Sequence, residues 1–248
     1  MSGDERAPLA NELSRLPRVL AEGDLEIIGL LPHSSNYTFL ARAELAGEEA
    51  LVVYKPRSGE TPLWDFPDGT LCLRETAAFD LARALGWPNV PPTLIRRGPE
   101  GEGSVQLFVE SDPTEHFFTL RDRPELAEEF RKIALFDVIA NNADRKSGHC
   151  LLGADGLVWV VDHGVCFSDE TKLRTVIWDF VEEPLPAVLL DDLVRVRTDL
   201  THGSLGTELS PLLAPEELAA LGTRIEEALA TGSYPRPGAG RPFPWPPV

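Results

Sequence analysis

The polar residues with the greatest potential for chemistry lie in one segment, NNADRKSGH, at positions 141–149. This segment stands between an apolar stretch with helical spacing and an apolar hairpin, and it carries Asp144 and His149. The hairpin ends in VVDHG, which places Asp162 near a glycine. Oxygen and nitrogen ligands that converge in this way can bind a divalent metal or a metal–nucleotide complex. Taken singly, each aspartate is equally explained as a polar turn residue or a hairpin cap.

A lysine and an acid nearer the N-terminus extend the candidate site. Lys55 ends the apolar run LVVYKP, and Glu75 follows on the first strongly helical segment. Kinase-like folds hold the phosphates of ATP with a lysine at the end of the third strand, paired with a helix acid. Alone, Lys55 is explained as a snorkelling lysine and Glu75 as a solvated acid. The order of all four residues along the chain favours a kinase-like site.

Two kinds of element must position these residues. Five apolar, β-leaning runs are separated by turn-like residues. These runs are residues 24–32, 38–45, 48–56, 91–98 and 103–110. Four segments have helical character. The first lies between the third and fourth runs, and Gly86 ends it where a C-terminal cap glycine belongs. These segments are residues 69–86, 125–141, 186–198 and 214–230.

The composition is that of an acidic globular protein. Its 248 residues are 43% hydrophobic, and 23 Lys and Arg against 40 Asp and Glu give a net charge of −17. Because phosphate-backbone binding depends on neutralising cations, we expect no nucleic-acid partner, although a local basic patch can bind a small anion. We see no apolar run long enough for a membrane span and no signal-peptide pattern at the N-terminus. Three scattered cysteines suit a reducing compartment, so we expect a cytoplasmic protein without integral membrane association.

The two motifs carry a resemblance to a known family. DRKSGHCLL and VWVVDHG resemble the catalytic and metal-binding segments of phosphatidylinositol 3-/4-kinase-like enzymes, which read D-R-H-x-x-N and I-D-F-G. They are also similar to those of HipA-type and actin-fragmin-type atypical kinases. With VVYKP, RETAAF, ALGW and KLRTVIW included, the chain resembles a small actinobacterial family of phosphatidylinositol-kinase-like proteins over roughly residues 25–180.

The resemblance implies a fold and a domain order. The fold class is α+β, a bilobal protein-kinase-like fold with a small antiparallel-sheet N-lobe and a mainly helical C-lobe. The expected order is an N-terminal helical extension (1–23), the N-lobe (24–111), the C-lobe (112–232) and a Pro-rich extended tail (233–248). We expect the tail either to wrap the surface, anchored by Phe243 and Trp245, or to hang free.

The resemblance also implies cofactors and site residues, with ATP and Mg²⁺ or Mn²⁺ as cofactors. Lys55 would contact the α- and β-phosphates and Glu75 would orient Lys55. Asp144 would orient or deprotonate the acceptor hydroxyl, and Asp162 would bind the metal. The residues expected around the nucleotide are Ser34, Ser35 and Asn36 in a turn over the phosphates, and Phe108, Val109 and Glu110 facing adenine.

Three positions depart from the family pattern. His149 stands where the lipid kinases have Asn, and imidazole prefers softer metals than Mg²⁺, which suggests Mn²⁺ use, a single metal or weak activity. Lys146 replaces the usual His and could hold a γ-phosphate or an anionic acceptor. His163 replaces Phe and is expected to pack. We take His149 as a candidate metal ligand and Lys146 as a nucleotide-binding residue.

The favoured function is ATP-dependent transfer of the γ-phosphate to a hydroxyl group. Lys172, Arg174 and Trp178 form a basic and aromatic patch that suits an anionic or hydroxylated small acceptor. We therefore expect an inositol-like or sugar-like molecule or a protein side chain, rather than a membrane lipid. Two alternatives remain open: a weak pseudokinase that binds nucleotide as a regulator, and a metal-dependent hydrolase that uses the acids and histidines of the two motifs.

Overall fold

The computed structural model describes residues 18–32 and 36–248. The chain divides into two compact units, residues 1–72 with 92–108, and residues 73–91 with 109–248. Residues 18–22 are helical, while the rest of the expected entry helix lies outside the described residues. The expected lobe boundaries, including the one near Ser111, stay a prediction.

The first unit contains a five-stranded sheet in which every neighbouring pair is antiparallel. The strands are β1 (Asp24–Leu30), β2 (Phe39–Leu45), β3 (Glu48–Pro56), β4 (Thr93–Gly98) and β5 (Gly101–Leu107). They lie in the order β1-β2-β3-β5-β4. All five strands predicted from the apolar runs are therefore present.

Alternation of side chains explains why the sheet has one buried face. Ala41 and Val52 are partners across β2 and β3, and both are fully buried with Tyr54 and Val105. A two-residue loop, 46–47, joins β2 to β3 with positive φ at both residues, which is the hairpin geometry that matches strand twist.

The second unit is mainly helical. Its helices are α1 (Leu71–Leu85), α2 (Phe117–Leu120), α3 (Ala127–Ala140), α4 (Ala187–His202), α5 (Ser204–Leu209) and α6 (Pro215–Thr231). A small antiparallel hairpin follows α3, formed by β6 (Cys150–Leu152) and β7 (Val158–Val160). The short helices α2 and α5 were not predicted, because four and six residues are too few to show a helical period.

Helices α1 and α3 provide much of the second unit's core. Ala78 and Leu81 on α1, and Ile133 and Phe136 on α3, belong to one apolar cluster. The α1 helix ends as expected, since Gly86 has φ 83° and its N–H donates to the Ala82 carbonyl at 2.8 Å. Sheet and helices together confirm the α+β class. No helix in the described ranges combines the length and apolarity needed to cross a bilayer.

The C-terminal tail, residues 233–248, lies against the second unit as extended chain. Tyr234 is buried, and its hydroxyl donates to the Arg131 carbonyl at 2.9 Å. Phe243 and Trp245, the expected anchors, are instead 48% and 73% exposed. The tail is held by Tyr234 and by backbone hydrogen bonds. Its prolines have no N–H to donate, but the carbonyls of Pro242 and Pro247 accept hydrogen bonds from N–H groups of the second unit.

Candidate functional site

The polar loop, residues 141–149, begins where α3 ends. Asn141 ends the helix in the left-handed region, with φ 53°, which asparagine tolerates better than most residues. Its side-chain nitrogen donates to the carbonyls of Ser168 and Glu170, at 3.0 and 2.6 Å. Its side-chain oxygen accepts the Lys172 N–H at 2.9 Å. One residue thus ends the helix and holds the segment that follows β7.

Asp144 projects from the middle of the polar loop and is half-buried. Its N–H donates to the side-chain oxygen of Asn142 at 3.0 Å, a local turn that orients the residue. The Asp144 carboxylate lies 3.5 Å from the Lys146 ammonium. The loop therefore presents a carboxylate and an ammonium group side by side.

Asp162 lies just beyond β7 in a left-handed conformation, with φ 62°. Apart from glycine, mainly asparagine and aspartate tolerate this conformation, and it often marks functional positions. Its carboxylate is 51% exposed and lies 3.3 Å from Nε2 of His149. Nδ1 of His149 accepts the Lys146 N–H at 3.3 Å, so Nε2 carries the proton that faces Asp162. His149 therefore connects the polar loop to the end of the hairpin.

The two acids influence each other electrostatically. Burial raises the pKa of Asp144, and the negative charge of Asp162 raises it further. The cations of Lys146 and Arg174 act in the opposite direction and lower that pKa. Since two carboxylates that repel each other attract a cation, this arrangement suits a bound divalent metal or a shared proton.

We expect the pKa of Asp144 to lie above the usual value of about 3.9 for aspartate. Replacing Arg174 with glutamine should raise it further, because a cation that stabilises the carboxylate is lost. Carbon-13 NMR titration of metal-free, nucleotide-free protein measures both values, and Arg197→Gln on the exposed face of α4 is the matched control. A pKa that falls in Arg174→Gln would contradict the electrostatic account.

A buried ion pair between Arg145 and Asp137 holds the polar loop against α3. Arg145 and Asp137 are both fully buried, and the Arg145 Nε lies 3.1 Å from each carboxylate oxygen. Asp137 also accepts hydrogen bonds from Asn142 at 3.0 Å and Thr175 at 3.2 Å. Burial is the largest single influence and disfavours the Arg145 cation, but the charge of Asp137, the hydrogen bond to it and other nearby groups together outweigh burial, so the pKa of Arg145 is raised. The pair fixes the base of the loop that carries Asp144.

His163 and Glu75 support the end of the hairpin. His163 is fully buried, packs edge-on against Phe136 and lies 2.7 Å from an Arg145 nitrogen through Nε2. Because arginine only donates, Nε2 of His163 is the acceptor. The backbone N–H of His163 donates to the Glu75 carboxylate at 3.0 Å. Glu75 is only 2% exposed, so its explanation as a solvated helix acid is wrong.

The remaining predicted residues lie in several places. Lys55 lies on β3 opposite Ser104 of β5, and it is partly buried. Asn36 uses its side-chain oxygen to accept the Thr61 N–H at 2.8 Å. Ser34 and Ser35 lie outside the described residues. Their roles at the phosphates stay a prediction.

At the strand end expected to face adenine, one backbone N–H already has a hydrogen-bond partner within the sheet. The Phe108 N–H donates to the Leu51 carbonyl at 2.9 Å. The N–H and C=O groups of Val109 and Glu110 make no hydrogen bond with other described residues. Of the three predicted residues, Val109 and Glu110 therefore have the backbone groups that a base could use.

The metal fit can be judged from the donor set. Over residues 18–32 and 36–248 no three His, Cys, Asp or Glu side chains are grouped closely enough to hold a metal ion. Nucleotide-bound Mg²⁺ takes one or two carboxylates and completes its shell with phosphate and water, so a large protein cluster is unnecessary. Asp162 is exposed and has a second carboxylate nearby, which fits that requirement.

The buried residues that hold the polar loop in place were not predicted from the sequence. Asp137, Arg145 and Thr175 had no assigned role, and Glu75 was expected to act on Lys55 alone. One signal was present: Asp137 is an acid within the most apolar part of α3, ALFDVIA, where a charge needs a buried partner. The partner itself was unpredictable, because Arg145 meets Asp137 only through the fold of the loop.

Comparisons with known proteins extend this description. Residues 95–207 match the family model described as phosphatidylinositol 3- and 4-kinase. The chain is 40% identical to Protein Rv2133c of Mycobacterium tuberculosis over an alignment of 261 residues, gaps included. The alignment covers 92% of this chain and 94% of that protein. It is 32% identical over 129 residues to phosphatidylinositol 4-kinase gamma 4 of Oryza sativa subsp. japonica. That match covers 44% of this chain but only 22% of the plant protein.

A solved structure shares the fold. The Helicobacter pylori proinflammatory kinase CtkA superposes with a TM-score of 0.56 at 13% sequence identity. The match covers 86% of this chain and 97% of that one. At this identity the likeness concerns the fold alone, and it confirms the kinase-like fold expected from the sequence.

Proposed function

Because the chain belongs to the phosphatidylinositol 3- and 4-kinase-like family of atypical kinases, we propose that it transfers the γ-phosphate of ATP to a hydroxyl group. One observation carries the proposal: Asp144 and Asp162 come from separate motifs, yet His149 of the polar loop lies 3.3 Å from the Asp162 carboxylate, and the charge of Asp162 raises the pKa of Asp144. A kinase-like site needs two such acids, one for the acceptor and one for the metal. The proposed acceptor is a small inositol- or sugar-like molecule or a protein side chain.

Asp144 is the residue proposed to act on the acceptor. Its carboxylate accepts the hydrogen of the attacking hydroxyl and orients the oxygen towards the phosphate. Burial raises the pKa of Asp144 and so makes it a stronger base than an exposed aspartate, while the nearby cations act in the opposite direction. Lys146, 3.5 Å from Asp144, would offset the charge of the transferred group.

Asp162 is the residue proposed to bind Mg²⁺ or Mn²⁺. A divalent ion there would neutralise charge on the β- and γ-phosphates. His149 was a candidate ligand, but both of its ring nitrogens have hydrogen-bond partners, Lys146 and Asp162. We therefore propose that His149 positions the carboxylate of Asp162, as outer partners of metal ligands commonly do.

The remaining nucleotide contacts are proposed from the family pattern. Lys55 would contact the α- and β-phosphates, and the backbone of Val109 and Glu110 would face adenine. Glu75 would have two roles, orienting Lys55 and holding the His163 N–H. Transfer by such a site depends on positioning and charge neutralisation rather than on a covalent enzyme intermediate.

Calorimetric titration with ATP, with and without Mg²⁺ or Mn²⁺, tests the proposal. We expect metal-dependent binding by the unchanged protein. Asp162→Asn should weaken that binding by about 100-fold or more, because even loss of an outer partner of a ligand costs about 10–100-fold. Asp191→Asn, an exposed acid on α4, is the matched control and should bind normally.

The alternatives give different results in the same experiment. Absence of nucleotide binding with either metal would overturn the kinase proposal and leave only the fold. Binding without turnover on polyols or proteins would favour the pseudokinase. The hydrolase interpretation included His163, which is buried against Arg145 and Phe136 instead of facing the acids.

A further inference from the structure

One cavity of the second unit lies next to the polar loop, and none of the residues in its wall is proposed to bind the nucleotide or the metal. This tail cavity has a volume of about 440 Å³ and lies among the end of α3, residues 171–178, α6 and the C-terminal tail. Its size is that of small-molecule sites, about 300–1,000 Å³. The apolar side chains in its wall are Leu135, Val138, Trp178, Ala228, Pro235 and Pro242.

The charged groups around the tail cavity are mostly cationic. Five of them are Lys172, Arg174, Arg224, Arg236 and Arg241, and the single acid is Glu227. Acids outnumber bases 40 to 23 in the whole chain. A wall with the opposite balance in so acidic a protein creates a local positive potential that attracts anions.

Arg174 and Arg224 have unused donor capacity. The Arg174 side chain makes no hydrogen bond or ion pair with the described residues, although its charge acts on Asp144. Arg224 donates to the carbonyls of Ile139 and Ser168 at 2.8 and 3.1 Å. Its third nitrogen, Nη2, is buried and has no hydrogen-bond partner among the described residues. Burial lowers the pKa of Arg224 to about 10, so the side chain stays charged at neutral pH.

Two further cations of the wall lie beside acidic side chains. Lys172 lies 3.4 Å from Glu170, whose side chain is 76% exposed. Arg236 lies 2.7 Å from Glu182, and both side chains are more than half exposed. An exposed ion pair such as Arg236 with Glu182 contributes about 0–1 kcal/mol, so a ligand can replace it at little cost.

The tail completes the cavity and supplies two of its arginines. Tyr234 exchanges backbone hydrogen bonds with Glu182 and Glu183, at 3.1 and 3.0 Å. The Pro242 carbonyl accepts from the Thr175 N–H at 3.1 Å and from the Trp178 ring nitrogen at 3.2 Å. Between these anchors the chain carries Arg236 and Arg241 along one wall.

We propose that the tail cavity is a binding site for a small organic anion with an apolar body. The apolar wall would bury the body, and the guanidinium groups would bind a carboxylate, sulfonate or phosphate through charge-assisted hydrogen bonds. The wall shares Lys172, Arg174 and Trp178 with the patch that the sequence suggested for an acceptor, but it contains neither Asp144 nor Asp162. Binding of an anion there does not depend on the proposed function.

Two fluorescent probes that share one ring system test this proposal. Anilinonaphthalene sulfonate carries the anion, and neutral N-phenylnaphthylamine lacks it. We expect the full-length, nucleotide-free protein to bind one sulfonate probe at least about 10-fold more tightly than the neutral probe. Arg174→Gln and Arg241→Gln should each weaken sulfonate binding by about 10-fold and leave the neutral probe unchanged.

The controls separate the tail cavity from general surface binding. Arg197→Gln on α4 removes a cation outside the cavity and should change neither affinity. Circular dichroism of each variant checks that the fold is kept, and the two arginines lie on separate segments, so one misfolded variant does not remove the test. Equal affinities for the two probes, several sulfonate molecules per chain, or unchanged binding in both cavity variants would overturn the proposal.

Discussion

Asp144→Asn is expected to lower phosphoryl transfer by about 10²–10⁴-fold, the usual contribution of a positioned general base. Asparagine keeps the size of the side chain and the turn made by its N–H with Asn142, so the loop should keep its shape. What is lost is the negative charge that accepts the hydroxyl hydrogen. Metal-dependent ATP binding should persist, because Asp162 is unchanged.

Turnover and ATP affinity measured on the same preparation distinguish this result from unfolding. Asp191→Asn removes an exposed acid on α4 and should retain full activity. If Asp144→Asn transfers phosphate at the normal rate, Asp144 is not the acceptor-orienting residue. The assignment of the polar loop would then be wrong, although nucleotide binding could still hold.

The second large effect concerns stability. Asp137→Asn removes the charge opposite Arg145, and both side chains are fully buried. Leaving one member of a buried ion pair without its partner costs about 3–5 kcal/mol, a large share of the roughly 5–15 kcal/mol that stabilises a typical domain. We therefore expect the free energy of unfolding, measured with urea, to fall by this amount.

A second variant keeps the test decisive if Asp137→Asn does not fold. The double replacement Asp137→Leu with Arg145→Met removes both charges, and such exchanges are often neutral or stabilising. It should be more stable than the single variant, while losing activity because the loop is no longer held. Glu226→Gln breaks the exposed pair with Arg197 and should change the free energy of unfolding by less than about 1 kcal/mol. Similar losses for the buried and exposed pairs would contradict the account.

The fold was largely predictable because its elements have strong local signals. The five strands and four longer helices were recognised from alternation, helical spacing and the glycine after α1. The short helices α2 and α5 were missed for want of length. The tail was correctly expected to be extended. Which of its aromatic side chains is buried depends on the surface of the second unit, which the tail sequence does not show. Tyr234, rather than Phe243 or Trp245, is therefore the buried aromatic.

The candidate site was predictable only where motifs mark it. Asp144, His149 and Asp162 were found from their order and spacing, and the structure places His149 beside Asp162. Asp137 and Arg145 lie eight residues apart, and their pairing depends on the left-handed turn at Asn141. The contact between Glu75 and the His163 N–H joins positions 88 residues apart. Such contacts have no local pattern.

The hydrogen bonds of Asn141 have a consequence for how the polar loop can form. They join positions 27–31 residues apart, and the carbonyls of Ser168 and Glu170 must be in place before the bonds exist. Contacts between distant positions form late, since the intervening chain must first be closed into a loop. A nascent chain that has grown only as far as the hairpin would therefore have both motifs but not their arrangement. The polar loop therefore acquires this geometry only after the segment that follows the hairpin is in place.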